Sequence, residues 1–251
     1  MNPPDIVVAT CAYGTEFVWR HGQNECIPIV AGAGAQGIEI RRELFLVEQL
    51  KQLIDLASAI VQVGLFSVYS APVGLFDARG EVNVHELPMI LDEARMLNAR
   101  FLKLALGGFQ PEFSRAELAS FLRSNQMKLL VENDQTISGG RIDPLKTFFS
   151  ACQAPDISVR MTFDIGNWYW VGEDPLVAAR EFHQFVDYVH VKPVRRTNGQ
   201  VMAVPLEESD GSWLQILKLL PSEAPRGIEF PIPPEEFEKR TREYVTQLKC
   251  A

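Results

Sequence analysis

Four polar side chains close or interrupt four consecutive apolar runs in this chain, and their types are those of a metal site. Glu132 ends the run 129–131, Asp164 ends 158–163, His190 lies within 187–191 and Glu229 within 227–230. Three carboxylates and one imidazole form an oxygen-rich, hard ligand set. It suits Mn²⁺ or Mg²⁺ with water positions left open, with Zn²⁺ or Co²⁺ as alternatives. A carboxylate at the end of a buried apolar strand costs free energy unless a metal, a proton or a partner satisfies it. Each residue alone has a plainer reading. A lone buried histidine is ordinarily a satisfied core residue, and Glu39 with Arg41 at the end of 37–41 makes an ion pair as readily as a binding site. Four ligands on four successive strand ends do not have that plainer reading.

The elements that must carry these residues repeat as strand then helix. Strands are expected at 6–10, 37–41, 65–70, 101–106, 129–132, 158–163, 187–191 and 227–230. Helical spacing appears between them, as in Leu50, Leu53, Ile54, Ala57 and Ile60, and in Leu87, Ile90, Leu91, Ala94 and Leu97. Ser114 with Glu117 is a capping box, and Asp143-Pro144 and Asp174-Pro175 read as helix starts, the former helix giving way near Pro155. Loops are expected around Phe17 to His21 and around Arg195 and Arg196. Gly32 to Gly37 mimics a phosphate loop but precedes a strand, so it reads as a helix end and turn. Eight units in 251 residues argue for one closed (β/α)8 TIM barrel over 1–251, in which the strand ends form one mouth where ligands bind.

Composition narrows the partner. A net charge of −8 with no basic stripe speaks against nucleic acid and anionic membrane surfaces, leaving a small molecule. Cys11, Cys26, Cys152 and Cys250 are scattered without a C-x-x-C pair, so neither disulfides nor a thiolate metal site is signalled. Met1 to Asp5 lacks the basic and apolar regions of a signal peptide, and no apolar run reaches about 18 residues, so a reducing cytoplasm is expected. A homo-oligomer stays open.

The Glu-Asn at 132–133, Asp-Ile-Gly at 164–166, His-x-Lys at 190–192 and Gly-Ile-Glu at 227–229 resemble the xylose isomerase-like TIM-barrel superfamily, over the whole chain. The runs Leu-Val-Glu-Asn-Asp-Gln-Thr, Gly-Gly-Arg-Ile and Met-Thr-Phe-Asp-Ile-Gly-Asn-Trp are most similar to epimerases associated with 2-ketogluconate utilisation. The resemblance implies a divalent metal on Glu132, Asp164, His190 and Glu229, with Glu132 and Glu229 as the proton-transfer pair on opposite faces of the substrate. It also implies a substrate-binding arginine six residues after the metal histidine, the offset of Arg196 from His190. Asn167 stands where these enzymes usually carry a histidine; an amide can hydrogen-bond a hydroxyl or carboxylate but cannot titrate. Arg41 joins the substrate-binding candidates. Lys192 shares strand parity with His190, and a carboxylate- or enolate-binding role competes with an ion pair to Asp134. Tyr13, Phe17, Trp19, Trp168, Tyr169 and Trp170 are candidates to wall a sugar-sized pocket or to pack the core.

The expected activity is metal-dependent isomerisation or epimerisation of a small ketose or keto-sugar acid through a cis-enediolate. Dehydration or decarboxylation of a keto acid uses the same enolate. A metal-dependent phosphodiesterase acting at abasic DNA is disfavoured by the acidic charge and by the lack of extra histidines, and a non-catalytic sugar or metal sensor completes the alternatives.

Overall fold

Short aliphatic and β-branched runs with both faces covered form the parallel strands, as in Ile6-Val7-Val8-Ala9, which is buried throughout. The computed structural model describes residues 3–153 and 157–251; Met1, Asn2 and Pro155 lie outside the described residues. Its strands are β1 (Ile6–Ala9), β2 (Gly37–Arg41), β3 (Phe66–Phe76), β4 (Ala99–Gly107), β5 (Leu129–Glu132), β6 (Val159–Asp164), β7 (Val186–Val191), β8 (Val194–Thr197), β9 (Gln200–Ala203) and β10 (Arg226–Ile228). Eight of them close a parallel barrel in the order β1-β10-β7-β6-β5-β4-β3-β2, while β8 and β9 form a separate antiparallel hairpin. The expected single-domain (β/α)8 barrel is the observed fold.

Helices cover the barrel with their apolar faces inward. Leu53–Gln62 buries Leu53, Leu56, Ala57 and Ile60, the i, i+3, i+4, i+7 set of one helical face. Inside the barrel a separate small cluster of Val7, Val68, Phe101, Leu130 and Tyr188 forms a floor. Side chains two residues apart on a strand share a face. The residues two positions beyond that floor on β4, β5 and β7 are therefore Lys103, Glu132 and His190, which stand on it at the mouth.

Several local expectations are corrected. The loop expected around Phe17 to His21 is instead part of the helix Thr15–His21. The helix read as starting at Asp143-Pro144 is Ile142–Ala151, with Arg141 at its N-cap and no side-chain cap bond, because the short helix Ile137–Gly140, capped by Thr136, delivers the chain directly into it. The loop expected around Arg195 and Arg196 is the β8–β9 hairpin. Its turn is Asn198-Gly199, both with positive φ (52° and 77°), the dipeptide whose left-handed residues match the twist of two-residue hairpins. Ser114 and Asp174 do cap their helices, accepting from Glu117 N at 3.2 Å and Leu176 N at 2.8 Å.

Candidate metal centre and active site

β5, β6, β7 and β10 are neighbours in the barrel, so the polar ends of four strands meet at one point. Ligand atoms of Glu132, Asp164, His190 and Glu229 all lie within 4.8 Å of one another. His190 is the hub. Its Nδ1 is 2.7 Å from Glu132 Oε1, 3.1 Å from Glu229 Oε2 and 4.0 Å from Asp164 Oδ2. On its other side Nε2 lies 2.7 Å from Glu39 Oε2, which also accepts from Tyr188 Oη at 2.9 Å. A carboxylate only accepts, so Nε2 carries the hydrogen and Nδ1 is turned toward the acids, the arrangement of a metal-ligating histidine backed by a carboxylate.

The donor set fits a divalent cation. Glu132 Oε1 and His190 Nδ1 approach closely, yet neither has a hydrogen bond of acceptable geometry; both are buried polar atoms without a partner. Such atoms are costly, and a cation between them would satisfy both. Asp164 is braced from behind: Oδ1 accepts from the backbone N–H groups of Gly166 at 2.7 Å and Asn167 at 2.8 Å, leaving Oδ2 for the cluster. The Asn133 amide clasps the Asp164 backbone in both directions, at 2.8 and 2.9 Å.

Three cations press on the same carboxylates. Lys192 Nζ donates to Glu229 Oε2 at 3.0 Å and to Asp164 Oδ2 at 3.2 Å. Arg41 Nη1 donates to Glu229 Oε1 at 2.7 Å and to Glu39 Oε1 at 3.1 Å, and Arg41 Nε to Glu43 at 2.8 Å. Lys103, on β4 and almost fully buried, donates to Glu132 Oε2 and lies 3.8 Å from Glu39. Burial alone would push the His190 imidazole down, but Glu39, Glu229 and Glu132 hold it well above its ordinary value. Burial would raise the Glu39 carboxyl, yet His190 and Lys103 bring it down to about 2. Burial dominates at Asp164, whose carboxyl is pushed up to about 7 despite Lys192.

The remaining expected site residues divide. Arg41 and Lys192 reach the cluster, Lys192 pairing with Asp164 and Glu229 and not with Asp134, whose Oδ1 is taken by the Thr136 N–H and hydroxyl. Asn167 also reaches it, but both ends of its amide are engaged: Nδ2 donates to Asn133 O, while Oδ1 accepts from Gln135 and Lys192. Tyr13 is buried, bonded to Thr241, and lines a recess with Cys11, Lys192 and Glu229. Trp168 does not wall the site. It is wholly buried between Phe163 and Phe182, stacked on the latter at 5.8 Å, because the turn after Asp164 sends it outward into the helical layer. Arg196 is on the exposed hairpin strand β8, its guanidinium 4.8 Å over the Tyr169 ring, and does not contact the cluster. Sequence reasoning missed Lys103 and the bond from Glu39 to His190. A lysine inside the apolar run Phe101-Leu102-Lys103-Leu104-Ala105-Leu106 was the available signal for the first.

No protein-family model matches the sequence, and no curated protein does. Solved structures do match along the whole chain. A xylose isomerase domain protein from Planctomyces limnophilus is 18% identical with a TM-score of 0.66, covering 99% of this chain and 97% of its own. The fold is that of the xylose isomerase-like barrels. D-allulose 3-epimerase from Methylomonas sp., solved with D-allulose, matches at 13% identity and a TM-score of 0.63, covering 98% of each chain. The IOLI protein, solved with a bound zinc atom, matches at 14% and 0.66, covering 98% of this chain and 95% of its own. Within that xylose isomerase-like fold, the cluster of this chain sits at the carboxyl ends of the strands, where such barrels place their ligands.

Proposed function

We propose that this chain is a divalent-metal-dependent isomerase or epimerase of a small polyhydroxy carbonyl compound, a ketose or keto-sugar acid. The observation that carries the reading is that two glutamates of one ligand cluster line two different recesses. Glu132 lines a recess with Ser70, Arg41 and Lys103, whereas Glu229 lines another with Cys11, Tyr13 and Lys192. Each recess is about 430 Å³, in the range of small-molecule sites. Glu132, Asp164, His190 and Glu229 would hold the ion, which when bound would polarise a carbonyl and make the neighbouring C–H acidic. A substrate lying across the mouth would then meet one carboxylate from each recess. One removes the proton and the other returns it, which inverts or relocates the centre. Lys103 beside Glu132, and Lys192 and Arg41 beside Glu229, hold these carboxylates ionised and place positive charge where an enediolate would develop.

The test is turnover of a panel of ketoses and keto-sugar acids in D₂O with Mn²⁺ or Mg²⁺. An epimerised or isomerised product with deuterium on the carbon next to the carbonyl is expected, because a carboxyl proton exchanges with solvent far faster than a carbon-bound one. Glu132→Gln and Glu229→Gln should each lower turnover by roughly 10²-fold or more. Product without solvent deuterium would replace proton transfer by a hydride shift. A product lighter by one water would make the chain a dehydratase using the same base.

A further inference from the structure

The end of β2 is held by a side chain in place of a strand. β1 and β2 pair as far as Ala9 with Glu39, and Thr10 then leaves the sheet in the 3₁₀ helix Thr10–Tyr13, so β1 offers no residue opposite Arg41. The amide of Gln23, on the 3₁₀ helix Gln23–Glu25, fills that place. Its Oε1 accepts from Arg41 N at 2.8 Å and its Nε2 donates to Arg41 O at 2.9 Å, which supplies the donor and acceptor of a strand neighbour from one amide. Thr10 Oγ1 donates to the same Oε1 at 2.7 Å, and Thr10 and Gln23 are both buried. The hydroxyl thereby fixes which end of the amide is the oxygen. Asn133 clasps Asp164 in the same manner, one pair beyond Thr162, the last residue of β6 that β5 reaches. Both clasps sit at strand ends that carry residues of the site.

Arg41 is the residue that needs holding. It is the last of β2, extended at φ −101° and ψ 115°, and the chain turns into the 3₁₀ helix Arg42–Leu44 directly after it. Extended, it shares the inward face of β2 with Glu39, two residues back. From there Nη1 reaches both Glu229 Oε1 and Glu39 Oε1, so one nitrogen braces a candidate ligand and the carboxylate behind His190. A long, flexible stem keeps its head in such a place only when its own backbone is fixed. The neighbouring Arg42 is clamped independently, by bonds to Glu93 at 2.7 and 3.0 Å.

We propose that Gln23, oriented by Thr10, is a positioning residue of the candidate site: it holds the end of β2 extended so that the Arg41 guanidinium stays on Glu229 and Glu39. The placement of Arg41 stands apart from the function proposed above, and only its consequence for metal binding rests on that reading.

A labelling measurement needs neither metal nor substrate. Phenylglyoxal is added to the chelator-treated protein, reaching Arg41 through the recess it lines with Ser70 and Lys103, and modification is resolved by residue with mass spectrometry. Gln23→Ala should speed the labelling of Arg41 by about 10-fold or more, the equivalent of one lost hydrogen bond, with Arg42 unchanged as the internal standard. Thr10→Val should do so by a smaller factor and Thr10→Ser should not. Calorimetric titration with Mn²⁺ then reads the consequence. Gln23→Ala and Arg41→Ala should each weaken binding by about 10-fold, and the double variant should go no further than Arg41→Ala alone. A loss of affinity from Gln23→Ala that recurs in the Arg41→Ala background overturns the proposal. So does labelling of Arg41 that is unchanged, or that rises together with Arg42, because the clasp would then support the loops in general. Selective release of Arg41 with undiminished Mn²⁺ affinity overturns it too, since Arg41 would not be bracing Glu229. A wild-type protein that binds no Mn²⁺ would remove the metal from the proposed function and leave the labelling to decide the role of Gln23.

Discussion

Glu39 decides which nitrogen His190 presents to the cluster. Its carboxylate fixes hydrogen on Nε2 and so keeps the Nδ1 lone pair for a cation. Glu39→Gln keeps an acceptor there but removes the charge that makes the imidazole a better ligand, and metal affinity should fall by about 10-fold or more. Titration with Mn²⁺ followed calorimetrically would show this, with His190→Ala falling further; unchanged affinity in Glu39→Gln would make that carboxylate a packing residue. The pKa directions add a pH dependence. In chelator-treated protein His190 is held above its ordinary value by three glutamates and Asp164 titrates at about 7, so at neutral pH the cluster still carries protons. A metal ion must displace them, so affinity should rise with pH through 7 and binding should release protons, measured as a dependence of apparent enthalpy on buffer ionisation. The stability of the metal-free protein follows the opposite sign. The contribution of the raised His190 is complete below about 6.5 and is lost as pH climbs through its folded value, and Asp164 loses its own as pH rises from about 4 to about 7. Metal affinity that is flat from pH 6 to 8 would show that those protons are not there. The four ligands were legible because each stands at the polar end of an apolar run. Lys103 and the bond from Glu39 to His190 were not, since their meaning lies in partners on strands 29 and 151 residues away.

At the scale of elements, backbone room matters as much as side-chain type. Gly227 on β10 pairs with His190 on β7, and a Cβ there would come within 2.8 Å of His190 Cδ2 and would strike the Tyr188 hydroxyl. Both rings are wholly buried, so neither can swing away cheaply. Gly227→Ala should therefore displace His190 and its neighbour Tyr188 from Glu39, weakening metal binding well before it unfolds the barrel. Melting temperature and metal stoichiometry measured on the same preparation check this: loss of stability with full metal affinity would mean that the strand had shifted and the site had not. Seven of the eight barrel strands were read within a few residues because β-branched runs and helix starts punctuate this chain regularly, whereas β3 runs on to Phe76, six residues beyond the expected end at Ser70. The β8–β9 hairpin was read as a loop because its residues are largely exposed and carry no apolar alternation, although Asn198-Gly199 is the strongest short-range hairpin signal available. Trp168 was misplaced for a related reason: sequence adjacency to Asp164 says nothing of the turn that sends it into the helical layer.

Across the whole molecule, the barrel and the ligand cluster are separable in energy. The floor of Val7, Val68, Phe101, Leu130 and Tyr188 and the larger layer between strands and helices bury the apolar surface, and neither depends on the mouth being filled. The cluster sits at the carboxyl ends of the strands, where three cations already neutralise most of its negative charge. Removing metal should therefore leave a folded barrel of lower stability, not an unfolded chain. At a free ion concentration near 100 times Kd, binding to the native state alone contributes about 2.7 kcal/mol. For a chain of this length that corresponds to a melting temperature higher by roughly 5–10 °C. Calorimetry in EDTA and after readdition of Mn²⁺ or Mg²⁺ should recover that interval reversibly, with far-ultraviolet circular dichroism unchanged below the transition. A melting temperature indifferent to both chelator and excess ion would remove the metal from Glu132, Asp164, His190 and Glu229. It would leave the two glutamates and three cations as a purely organic acid–base site. Loss of the far-ultraviolet signal in EDTA would instead mean that ion binding and barrel closure are one event, and that the floor of the barrel does not hold the eight strands together without the mouth.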